Sequence, residues 1–120
     1  MDILLMTEPQ ILGHEKLDVY QASITFLALA DEILGNLPSG SGAINNQLDR
    51  AALSIPLNIA EGAGKSGIND KRRFYSIARG SAMECGAIFD ALKIRGKISQ
   101  ETYAQGKHLL VRIVSMLTKM

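Results

Sequence analysis

Five polar side chains recur along one stretch of the chain: Gln47, Arg50, Ser54, Asn58 and Glu61. Steps of three and four residues place them on one face of a helix. An arginine, a hydroxyl, an amide and a carboxylate in a row are materials for anion binding or proton transfer. A later segment adds Arg79, Ser81 and Glu84. Covalent catalysis needs a nucleophile oriented by a base, and neither row holds such a pair. The first row also lies beside an apolar row, Ile44, Leu48, Ala51, Ile55 and Ile59, rather than opposite it. That placement predicts partial burial. Arg50, Ser54, Asn58, Glu61, Arg79, Ser81 and Glu84 are therefore expected to form a structural network that fixes helix register.

Other chemistry is thinner. Gly62-Ala63-Gly64-Lys65-Ser66 has the look of a phosphate loop, but Ile59 stands where the pattern needs its first glycine. A helix also precedes the segment, where a strand is required. His14 and His108 lack neighbours at ligand spacing, so no metal is expected. Cys85 falls on an apolar stripe and reads as an inert core thiol. No cofactor or small-molecule substrate is indicated. The basic cluster Lys65, Lys71, Arg72, Arg73 and Arg79 is the candidate surface for RNA or DNA phosphates. A solvated face or a subunit contact is its competing reading.

The elements that carry these residues are helices. The first runs from about Leu17 to Asn36 and stops at Leu37-Pro38-Ser39-Gly40. It has two apolar stripes: Leu17, Tyr20, Ile24, Leu27 and Leu34, and Val19, Ala22, Phe26, Leu29 and Ile33. One stripe suffices for a bundle core. The other asks for a second partner, and Val19, Phe26, Leu29 and Ile33 are taken as the oligomer interface, with a helix deeply embedded in its own small domain as the alternative. A second helix runs from the Ser39–Gly42 turn to about Gly62. Pro56 should kink it, with a break into two helices as the alternative. A third opens near Asn69 as N-cap and ends at Gly96. Its stripe is Phe74, Ile77, Ser81, Cys85, Ile88 and Leu92, with Ala78, Ala82 and Gly86 alongside. The fourth begins at Ser99, where Ile98 and Tyr103 are spaced as a hydrophobic staple. Short connections make neighbours antiparallel, so the fold class is all-α, an up-down-up-down four-helix bundle over residues 14–120. Residues 1–13 read as a loose N-terminal arm.

A chain of 120 residues is one domain. A single cysteine, the lack of a basic n-region before the apolar run Ile3–Met6, and no long apolar span point to the cytoplasm rather than a membrane. The net charge of +1 conceals a polarity. Residues 1–61 sum to −6, residues 62–97 to +5, and the remainder to +2. Such polarity suits nucleic acid on the basic part, or acidic-to-basic contact between identical subunits.

The residues Gln47-Leu48, Arg50 through Pro56 and Asn58-Ile59-Ala60-Glu61-Gly62 resemble the hallmark of the 23S rRNA intervening-sequence proteins, also labelled four helix bundle or S23 ribosomal proteins. Arg73-Phe74, Ile77-Ala78, Gly80-Ser81 and Glu84 resemble that family's second block, and Leu17-Asp18-Val19-Tyr20 its opening. The resemblance implies a bundle that assembles into a ring, commonly a pentamer. It implies no enzymatic activity. It further implies a tie to rRNA genes or, in a related branch, to retroelement accessory proteins that bind nucleic acid through a basic surface. Asp49 stands where the family is usually basic, and Ser39-Gly40-Ser41-Gly42 replaces a more acidic turn. Two readings follow: an oligomeric bundle that binds RNA or DNA, and a self-assembling protein–protein module with no nucleic-acid role.

Overall fold

The computed structural model describes residues 10–38 and 42–120. Most of the expected N-terminal arm, and Ser39, Gly40 and Ser41 of the glycine-rich turn, lie outside them. A 3-10 turn, Gly13–Lys16, leads into four α-helices: α1 (Asp18–Asn36), α2 (Gly42–Ala63), α3 (Ile68–Ile94) and α4 (Gln100–Thr118). The chain is an all-α four-helix bundle. Each helix packs on two others, α1 on α2 and α4, and α3 on α2 and α4. The α1–α2 layer thus lies opposite the α3–α4 layer. None of the described helices is long and apolar enough to cross a membrane.

Two helix ends follow directly from local sequence. Gly96 adopts a positive φ of 69° after α3, a conformation that costs glycine little. There Gly96 N–H donates to Lys93 O and Lys97 N–H to Leu92 O, which closes the helix in a Schellman motif. Ser99 caps α4, its Oγ accepting from Thr102 N–H at 3.1 Å. The start of α3 differs from expectation. Gly67 occupies the N-cap, no side chain caps it, and Asn69 already lies inside the helix. Asp70 still sits in the first turn, where the helix dipole favours an acid.

Pro56 is buried within α2, and the helix runs through it unbroken. Proline leaves the Ala52 carbonyl without its usual N–H partner. Two residues on, Asn58 turns its side-chain amide back onto Ser54 O at 2.8 Å.

The core corrects the reading of α1. Val19, Phe26 and Ile33 are buried within the protomer, and Leu29 packs partly buried against them. Val19, Phe26 and Ile33 are thus core residues of the protomer rather than a surface open to a second subunit, and Leu29 lies at the core's edge. Phe26 reaches across the bundle to Phe89 on the diagonal helix, ring centroids 5.3 Å apart. Phe89 in turn lies on Gly106 of α4, where the missing side chain makes room for the ring. Phe26, the largest fully buried side chain of α1, thus fills the bundle centre, and that sets the helix's rotation. The other stripe becomes a flank: Leu17, Tyr20, Leu27 and Leu34 are half-buried against the core, and Ile24 alone is exposed.

The buried face of α3 is also rotated from the expected one. Tyr75, Ala78, Ala82, Cys85, Ile88, Phe89 and Leu92 are buried, while Ile77 is exposed and Phe74 only half-buried. Tyr75 is preferred because its ring packs over Gly62 of α2.

Candidate functional site

The polar rows of α2 and α3 meet, but only three members bond. Ser54 Oγ and Ser81 Oγ lie 2.8 Å apart across the α2–α3 seam. Asn58 Nδ2 donates to Ser54 Oγ at 3.0 Å. Ser54 thus accepts the amide and shares a proton with Ser81, a half-buried chain that locks register. Gln47, Arg50 and Glu84 line an open polar cleft of about 300 Å³ above the two serines and make no side-chain hydrogen bond there to the described residues. Glu61 reaches past the end of α2 to Lys65, 3.7 Å away in an exposed pair of small energetic value. Arg79 leaves the row altogether. Two residues before Ser81, it projects to the far side of α3, where Nε donates to Thr118 Oγ1 of α4 at 3.0 Å. The expected seven-residue network is a three-residue one, because helical rotation separates Arg79 from Ser81 and the longer side chains reach solvent.

The basic cluster divides in a similar way. Lys71 Nζ donates to Gly62 O at 3.2 Å and to Ala63 O at 3.1 Å. It satisfies the end of α2, where carbonyls lack partners and the dipole favours a cation. Arg72 and Arg73 are exposed in the first turns of α3. Lys65 Nζ sits 5.2 Å and the Arg73 guanidinium 4.8 Å from the Phe74 ring centre, so two cations flank one half-buried aromatic. Arg79 lies two helical turns beyond Arg72 on the same face. The result is a basic surface on the first half of α3: Lys65 and Arg73 flank Phe74 on one side, and Arg72 and Arg79 lie on the other, toward α4, with Lys71 committed at the end of α2. Phe74, expected in the core, is instead its platform. The adjoining cations Lys65 and Arg73 were the signal for this in the sequence.

A second polar cluster was not anticipated. Tyr103 Oη donates to Asp90 Oδ1 at 2.6 Å, and Lys107 Nζ donates to the same oxygen at 3.0 Å. The Tyr103 hydroxyl first, then the Lys107 ammonium, holds the Asp90 carboxyl below the usual carboxylate range. The same contacts raise Tyr103 and Lys107. Tyr103 and Lys107, one turn apart on α4, were the legible half of this tie to α3.

Cys85 is fully buried, and desolvation, with a smaller contribution from Glu84, pushes its thiol up to about 12. The described residues hold no group of three His, Cys, Asp or Glu side chains able to bind a metal. His14 packs edge-on to Tyr20, ring centroids 4.7 Å apart.

Residues 15–119 match the pattern of the 23S rRNA-intervening sequence protein family. The chain belongs to that family. A crystal structure of a protein with unknown function from the S23 ribosomal protein family, from Bacteroides thetaiotaomicron VPI-5482, is similar in fold. The TM-score is 0.78 at 21% identity, over 84% of this chain and 95% of that one. The comparison with curated proteins found no match. Within the matched range, Asn58 and Pro56 shape α2, and Ser54 meets Ser81 of α3 across the seam.

Proposed function

We propose that this family member is a non-enzymatic, self-assembling protein of the cytoplasm that holds RNA on the basic end of the bundle. The observation that carries this reading is the pair Lys65 and Arg73 on the Phe74 ring, with Arg72 exposed in the same first turns, beside the uncapped start of α3. Exposed guanidinium groups and unpaired helix N–H groups suit phosphates, and an aromatic or guanidinium plane suits an unstacked base. Assembly, in a ring of five as the family resemblance implies, repeats this surface once per subunit. The uneven charge of the two layers supports assembly by itself, so a module that assembles without RNA is the second reading.

Anisotropy titrations with a fluorescent, loop-containing RNA across a salt series test the first. The affinity is expected to fall steeply with salt, and Arg72→Ala with Arg73→Ala to flatten the log–log slope by roughly one per phosphate contact removed. Binding that ignores salt, or a slope unchanged in the double variant, overturns the assignment.

A further inference from the structure

Two opposite faces of the bundle carry apolar groups that the protomer leaves uncovered. On the α3–α4 side an open groove of about 530 Å³ runs between the helices, floored by Gly86 and Ala87 and walled by Met83, Val111 and Val114. Val111 is 66% and Met83 55% exposed. On the α1–α2 side, Ile24, Leu53 and Leu57 stand out at 40%, 43% and 55% exposure. Ile24 lies 12 residues before the end of α1, and Leu53 and Leu57 lie 11 and 15 residues after the start of α2. In antiparallel neighbours that puts them within about a turn of one height. They form a ridge.

The charges on the two layers are complementary. The α1–α2 layer carries Asp18, Asp31, Glu32, Asp49 and Glu61 against Arg50 alone. The α3–α4 layer carries seven basic residues against four acidic ones. Like layers repel and unlike layers attract, which disfavours a two-fold contact of groove on groove or ridge on ridge. A branched ridge and a small-residue floor are also complementary in shape.

We infer that the occupant of the α3–α4 groove is a second copy of this chain, which inserts its Ile24–Leu53–Leu57 ridge head to tail. The inference rests on the self-assembly in the function proposed above and names the surfaces that perform it. A contact between opposite faces is heterologous, so every protomer keeps one free groove and one free ridge until the assembly closes.

Light scattering coupled to size exclusion tests this with Leu57→Asp, which spoils the ridge, and Val111→Asp, which spoils the groove. Both residues are exposed in the protomer, and circular dichroism melts check that each variant folds. The wild type is expected as an oligomer at micromolar concentration, and each variant alone as a 13.0 kDa monomer. Mixed, the intact groove of the first accepts the intact ridge of the second, and growth stops at twice the monomer mass. A monomeric wild type, a folded variant that keeps the wild-type mass, or a mixture that stays monomeric each overturns the inference. RNA titration of the same samples is a separate readout, so assembly without RNA binding removes the RNA reading and leaves this interface standing.

Discussion

At the residue scale, Gly106 shows most clearly how one missing side chain positions others. A Cβ built there would collide with three ring atoms of Phe89, a core residue with no exposed surface. Gly106→Ala should gain about 1 kcal/mol of helix propensity, while displacing the ring costs roughly 1–3 kcal/mol. The collision is expected to win, because Phe89 is held on its far side by Phe26. A melting temperature at or above the wild type's would show that the ring has room to move. Cys85 gives a second test. With its thiol raised to about 12 and fully buried, alkylation at pH 8 should be at least ~10²-fold slower in the native protein than in denaturant. Comparable rates would place the thiol at the surface. Its position on a buried stripe was readable from helical spacing. Gly106 was not, since a lone glycine inside a helical pattern says nothing of which ring will lie on it.

Between elements, the polar ties that hold neighbouring helices differ in how legible they were. Ser54 and Ser81 stood on the seam faces of two rows, so spacing alone brought them together. Arg79 shared the second row's sequence but not its face. Two residues before Ser81, it could not share that face in any rotation of α3; what spacing did not tell is that Thr118 of α4 receives it, which is a tertiary event. In a double-mutant cycle on Ser54→Ala and Ser81→Ala, the coupling should be about 0.5–1.5 kcal/mol, each single change stranding a half-buried hydroxyl. Additive losses would mean the serines are neighbours without a bond.

The Asp90–Tyr103–Lys107 tie makes the α3–α4 pair pH-sensitive. Asp90 is held below its usual value, so its contribution is complete at neutral pH and is lost as pH falls through the folded value, below the ordinary carboxylate range. Tyr103 and Lys107 are raised, so their contribution persists through neutral pH and is lost as pH rises through the raised values. Asp90→Asn is expected to lower the neutral melting temperature and to flatten the acid limb of the melting profile. An acid limb parallel to the wild type's would exclude Asp90 as its source.

On the scale of the whole molecule, charge and apolar surface divide along the same line. The fold brings the acidic first half of the chain into one layer and the basic second half into the other, so a polarity visible as a running sum becomes a dipolar body. The outward apolar groups were harder to read. Two stripes on α1 suggested an interface there, yet a four-helix core absorbs one stripe fully and the other as a flank. Apart from Ile24, the uncovered groups lie on α2, α3 and α4, where each looked like an ordinary interruption of a polar face. If assembly repeats the basic end, RNA should meet several copies at once, and the second contact becomes intramolecular. The monomeric Leu57→Asp variant, whose basic end is untouched, is then expected to bind long structured RNA roughly 10–10²-fold more weakly, with a shallower salt slope. On an RNA short enough for one protomer, variant and wild type should bind alike. Arg72→Ala with Arg73→Ala should do the reverse: keep the assembly mass and lose affinity on both RNAs. An equal loss on short and long RNA in Leu57→Asp would mean that the ridge, not the number of copies, touches the nucleic acid.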